Sequence, residues 1–239
     1  MADRDDASIV CQDRSTHELI EAALRNLWAV ANDLSRIKPP ASEAYRVTIF
    51  GSARAKPGEP LYEEVKWLAR ELASRGCDIV SGGGPGLMQA ANEGCNLGDP
   101  EDRVRSIGIR VELPFEQQPN PYVEQLYTHQ TFYTRLHQFV RLSSAFVVVG
   151  GGVGTLLEMS LVWQLLQVRH VQGVPLVLVG DMWKALVQWA REHMVRRPDH
   201  PLASSADCDI PICVSTVAEA LHVLEPGIAS FTSTRTAAP

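Results

Sequence analysis

Lysine is scarce in these 239 residues: Lys38, Lys56, Lys66 and Lys184 are the whole supply, and none lies in a glycine-rich loop. Pyridoxal phosphate chemistry needs a Schiff-base lysine held in its site, so that chemistry is not expected. The five cysteines (Cys11, Cys77, Cys95, Cys208, Cys213) are an odd number without a Cys-x-x-Cys pair. Neither a disulfide framework nor a zinc site is indicated, and reduced thiols in a cytoplasmic protein are the expectation. His129 and His137 have no metal-like partner at close spacing, so no metal is implied; no organic cofactor is expected either. Basic runs are missing and the formal net charge is -6, which removes the electrostatic footprint of a nucleic-acid binder. No apolar run is long enough for a membrane span: Ala145 to Val168 comes nearest, but it is broken by Gly150, Gly151, Gly152 and Gly154 and then by Glu158 and two glutamines. The first residues, Met1-Ala-Asp-Arg-Asp-Asp, lack the positive and apolar regions of a secretory signal, and export is not expected.

What remains is a chain with 45% apolar and 21% charged residues, long enough to bury a full core as one α/β domain. Ser15-Thr-His-Glu18 has the form of a capping box. Leu19, Ala23, Leu27, Val30 and Leu34 follow at helical spacing until Pro39-Pro40, predicting an N-terminal helical extension over 1–44. Strands and helices then alternate over 45–226. Strands are expected at Arg46–Phe50, Asp78–Val80, Ile107–Leu113, Ala145–Val149, Pro175–Val179 and Ile212–Val214. Helices are expected at Leu61–Ser74, after Gly86, and at Thr131–Leu142, Thr155–Val168, Trp183–Arg196 and Val217–Leu224. A flexible tail is expected over 227–239. Alternation of this kind means parallel strands with right-handed crossovers in a three-layer sandwich.

Three loops that follow strands are rich in glycine or small residues: Gly51-Ser52, Ser81 to Gly86, and Gly150 to Thr155. In open parallel sheets ligands bind beyond the carboxyl ends of the strands, so these loops should meet in one crevice. Gly150-Gly-Gly-Val-Gly-Thr155 joins a buried strand to a helix. Its glycines admit close backbone approach, and the free amides and dipole at the helix start favour a phosphate, with the Thr155 hydroxyl as a further donor. No lysine precedes Thr155, so a nucleoside-triphosphate loop is excluded. The first strand-helix turn reads Gly51-Ser52-Ala53-Arg54, which is not the dinucleotide fingerprint.

Gly151-Gly152-Val153-Gly154-Thr155-Leu156-Leu157-Glu158 resembles the Gly-Gly-x-Gly-Thr-x-x-Glu signature of the Lonely Guy family, also described as possible lysine decarboxylases. Gly51-Ser52, Ser81 to Met88, and Ile107 to Pro114 with the following Phe115 to Asn120 resemble the same family, so the similarity spans about Val47 to Trp189. The resemblance implies a Rossmann-like fold with a mostly parallel sheet and helices on both faces. It also implies a phosphoribohydrolase that releases the base of AMP or a cytokinin-type nucleotide, leaving ribose 5-phosphate, and a homodimer or higher homo-oligomer. By the same resemblance Arg135 and Glu158 are the catalytic pair. Gly51, Ser52, Gly83, Gly84, Gly151, Gly152, Val153, Gly154 and Thr155 would hold the phosphate and ribose of the nucleotide monophosphate.

The chemistry of the residues agrees. A carboxylate one turn into a phosphate-holding helix can reach the sugar, and glycosidic cleavage builds positive charge there that a carboxylate stabilises. Arg135 would neutralise phosphate or help the leaving base. Three positions depart from the family pattern: Gly150 replaces a proline, Leu136 a lysine and Leu157 an acidic residue. They motivate a second reading, a non-catalytic nucleotide carrier or sensor using the same crevice. Asn92 and Glu93 read as structural, with base contact as the alternative. Phe132, Tyr133, Trp163 and Trp183 sit at helical positions typical of core or interface, where Phe132 or Tyr133 could also stack on a base.

Overall fold

The computed structural model describes residues 44–112, 118–197 and 199–236, together with residues 20, 21 and 24. The chain divides into two units, 1–42 and 43–239. In the first, Ile20, Glu21 and Leu24 are helical; the rest of the expected N-terminal helix lies outside the described residues, as do residue 113, the last of the expected third strand, and 114–117 after it.

The second unit is a seven-stranded, all-parallel sheet. Its strands are β1 (Tyr45–Phe50), β2 (Cys77–Ser81), β3 (Ser106–Val111), β4 (Gln125–His129), β5 (Ala145–Val148), β6 (Leu176–Val179) and β7 (Pro211–Val214), in the order β4-β3-β2-β1-β5-β6-β7. Helices α1 (Pro60–Ser74), α2 (Leu87–Gly98) and α7 (Val217–Thr236) contribute to a core layer with Val47, Ile49, Ile79, Val147 and Val177. Helices α3 (Phe132–Leu142), α4 (Val153–Gln167) and α5 (Asp181–Ala190) contribute to the other, with Phe50, Val80, Ile109, Phe146 and Leu178. Strands buried on both faces are apolar at nearly every position, which explains why Ala145–Val148 reads as an unbroken apolar run. The expected three-layer α/β sandwich is the fold found.

The differences from expectation are local. β4 lies in a stretch for which no strand is expected: it is an edge strand, largely exposed, and Gln125 and Thr128 give it no apolar run. The helix after Trp183 gives way to a π turn at Arg191–Val195, and a short helix α6 (Ser205–Asp209) follows, with a Ser204/Asp207 capping box. The last helix continues through Pro226 to Thr236, into the stretch from 227 where a flexible tail is expected. Ile228 is buried and Phe231 meets the Tyr45 ring edge-on at 5.7 Å, so packing offsets the hydrogen bond that proline removes.

Helices α1 and α2 touch through a small-residue seam. A Cβ at Gly94 would strike the Lys66 carbonyl and lie 2.9 Å from the Ala69 Cβ. Gly94→Ala is therefore expected to destabilise the domain by about 1–3 kcal/mol through overpacking, against up to about 1 kcal/mol of helix propensity returned. The net result is a lower unfolding midpoint in denaturant; an unchanged or higher midpoint would show that the seam yields.

Candidate functional site

Strand order reverses at β1: the chain steps outward through β2, β3 and β4, then returns to place β5 on the other side of β1. The carboxyl ends of β1 and β5 therefore flank the switch point, where an open α/β sheet leaves a crevice. Ser52 ties the three loops together there. Its amide donates to the Gly150 carbonyl (3.1 Å), and its own carbonyl accepts from the Leu87 amide (2.8 Å) at the start of α2. Gly86, with φ +71°, caps that helix, and a Cβ on it would collide with the Ser52 carbonyl. The expected convergence of the three loops is found.

The second loop is held by a buried polar network. The Gly83 amide donates to Ser81 Oγ (3.0 Å), whose hydroxyl donates to Asn92 Oδ1 (2.6 Å). The Asn92 amide donates to Ser106 Oγ (2.9 Å), and the Asn120 amide donates to Asn92 Oδ1 and the Gly84 carbonyl, both at 3.0 Å. Asn92 is fully buried, so it frames the loop as the structural reading expected. Glu93 points elsewhere, accepting from the Tyr62 hydroxyl at 2.7 Å. Asn92→Ala orphans buried partners and is expected to cost about 1–3 kcal/mol, read as a lowered thermal midpoint. No loss would mean that water satisfies the network.

The third loop opens α4. Trp183 Nε1 donates to the Val149 carbonyl (3.2 Å) and anchors the end of β5. Thr155 is buried, and its side chain lies where a Cβ on Gly151 would sit, so it supports the loop from beneath. At Gly152 and Gly154 that space is empty, so packing gives no reason for glycine at either position. Val153 is exposed, and Gly152 caps the helix without a side chain. The first amides of α4 thus receive no side-chain cap.

Arg135 on α3 and Glu158 on α4 meet beside these loops, Nη1 to Oε1 at 2.9 Å. Arg135 Nε also donates to the Ile109 carbonyl (2.9 Å), its guanidinium stands 5.0 Å over the Phe139 ring, and a Cβ on Gly82 would lie 2.8 Å from its Nη2. The side chains of Arg135 and Glu158 are only 13% and 11% exposed. Burial pushes the Glu158 carboxyl up, Arg135 draws it down, and the upward push is the larger. His129, at the carboxyl end of β4, has its imidazole pushed down by burial first and by Arg135 second. Among the described residues no group of three metal-ligating side chains occurs.

Met88 and Asn120 also belong to this corner, although neither is among the residues expected to hold the nucleotide. The Met88 thioether occupies the space beside Gly82 and Gly84, and its position two residues after the glycine loop was the available signal. A separate hollow of about 510 Å³ lies between α4 and α5, lined by Leu156, Trp163, Leu186 and Trp189. It is mainly apolar, and its acid, Asp207, already caps α6. The candidate site is therefore the glycine-lined crevice, which holds the buried acid-arginine pair.

Known proteins resemble this chain in sequence and in fold. Residues 88–224 match the family described as "Possible lysine decarboxylase". The pyrimidine/purine nucleotide 5′-monophosphate nucleosidase of Escherichia coli K12 is 30% identical over 140 residues, 56% of this chain but 30% of that protein. The chain thus spans under a third of that relative's length. Two solved structures share the fold. The molybdenum cofactor binding protein of Rippkaea orientalis is 17% identical, with a TM-score of 0.58 over 78% of this chain and 98% of its own. The Moco carrier protein of Chlamydomonas reinhardtii is 21% identical, with a TM-score of 0.57 over 79% and 99%. No helix among the described residues is long and apolar enough to cross a membrane. The chain belongs to the possible lysine decarboxylase family, the Lonely Guy family of the sequence resemblance.

Proposed function

We propose that the chain is a nucleoside 5′-monophosphate phosphoribohydrolase, acting on AMP or a cytokinin-type nucleotide with Arg135 and Glu158 as its catalytic pair. The observation that carries the reading is their contact at 2.9 Å, largely buried, beside three glycine loops gathered at the switch point. In this reading the 5′-phosphate sits on the amides at the start of α4, around Gly151, Gly152, Val153, Gly154 and Thr155, and Gly51, Ser52, Gly83 and Gly84 line the ribose. Water attacks C1′ as the bond from C1′ to the base nitrogen breaks. Glu158 stabilises the positive charge on the sugar and takes the proton from the water; the base departs with the bonding electron pair and receives that proton, which returns Glu158 to its carboxylate. Arg135 positions Glu158 and offsets the negative charge gathering on the leaving base. The Escherichia coli relative, named a nucleosidase of 5′-monophosphates, supports the reaction class.

The test is chromatography of free base after incubation with AMP, GMP, CMP, UMP and an N6-modified AMP. Base released in step with ribose 5-phosphate supports the hydrolase and ranks its substrates. Nucleotide bound without release would turn the reading to the carrier.

A further inference from the structure

Phe132, Arg135 and Phe139 are spaced i, i+3, i+7, and so lie along one stripe of α3. At its base Phe139 is 1% exposed and meets Phe50 edge-on at 5.0 Å. In the middle Arg135 covers the Phe139 ring and bonds Glu158. The top rung is Phe132, about 4.5 Å of helical rise beyond Arg135, and it is 48% exposed. α3 follows the carboxyl end of β4, where His129 pairs with Val111, so its first turn stands at the carboxyl end of the sheet, the end from which the glycine loops also leave. Thr131 Oγ1 accepts from the Thr134 amide (3.2 Å) and fixes the turn. The stripe is thus packed in the core, ion-paired at the crevice, and finished by an aromatic ring half open to water.

We propose that Phe132 is the platform on which the nucleobase stacks, and that it sets a preference for purines over pyrimidines. The inference rests on the nucleotide reading above. Every base has a flat face that an aromatic ring can cover, and the purine's is the larger. A base on Phe132 lies one rung from Arg135, the residue that pairs with Glu158. Leu136 stands four residues on from Phe132, adjacent on the helix surface and half-buried. At this position the family pattern carries lysine, so the platform is flanked here by an apolar side chain instead of a charge.

The test measures binding of AMP, CMP and ribose 5-phosphate by calorimetry in the full-length Glu158→Gln chain, which keeps hydrolysis from consuming the ligand, with Phe132 intact, Phe132→Ala or Phe132→Trp. Loss of a stacking ring should weaken AMP roughly 10-fold or more and CMP less, should leave ribose 5-phosphate within about twofold, and should be reversed by tryptophan. Equal weakening of AMP and ribose 5-phosphate, or unchanged AMP binding, overturns the platform. A changed sedimentation coefficient in Phe132→Ala with base discrimination intact also overturns it, assigning the ring to a contact between copies. The two readings fail separately: base-selective loss at Phe132 without turnover by the unmodified chain keeps the platform and removes the hydrolase, while turnover indifferent to Phe132 does the reverse.

Discussion

Arg135→Ala is expected to abolish base release and to lower stability at pH 7 by about 3–5 kcal/mol, the range for stripping one partner from a buried ion pair. The variant loses the contact to Glu158, the bond to the Ile109 carbonyl and the cover over Phe139. It leaves a carboxylate behind. Burial already raises the Glu158 pKa above its ordinary value, so the native state holds that proton more tightly than the unfolded chain does. Ionisation of Glu158 therefore costs native stability as pH rises from the ordinary value to the raised one. Without Arg135 the pKa climbs further, and the penalty is largest at neutral and alkaline pH. Denaturant unfolding at pH 5 and pH 8 should show the smaller loss at pH 5, where Glu158 can take up a proton. Equal losses at both would mean that the guanidinium contributes packing and not charge.

Glu158→Gln should lower base release by roughly 10²–10⁴-fold, the worth of one positioned acid-base group, while nucleotide still binds on the glycine loops. In the proposed reaction Glu158 acts as an ionised carboxylate, and burial lifts its pKa. The acid limb of the kcat/KM profile therefore lies above the ordinary carboxylate range, and Arg135→Lys, which loses the planar fork, moves it higher still. A limb at the ordinary carboxylate value would show that Glu158 is solvated in the working protein, and undiminished turnover in Glu158→Gln would take the residue out of the reaction.

Much of this was legible in the sequence because the fold is built from strongly periodic pieces. Buried strands such as Ala145–Val148 are continuous apolar runs, and glycine loops punctuate them at the carboxyl ends. Elements whose identity depends on neighbours were not legible. β4 is a strand because β3 offers it a free edge, and its own residues are largely exposed. Helix α7 survives Pro226 because Tyr45 receives Phe231, a contact between residues far apart in sequence. The glycine loops and Glu158 stood out by motif, but Asn92 and Asn120 did not stand out as a brace for one of those loops, since a buried amide network has no local pattern. Thr155, read as a donor to phosphate, is packed under Gly151; the motif marks its position but not which way its hydroxyl turns.

The most direct test mixes the protein, in excess, with the nucleotide it binds most tightly, and follows free base and ribose 5-phosphate over a single turnover, with Glu158→Gln alongside. A phosphoribohydrolase gives one base and one ribose 5-phosphate per bound nucleotide from the unmodified chain, and leaves intact nucleotide on the variant over the same interval. Nucleotide bound and recovered intact from both chains would contradict that activity.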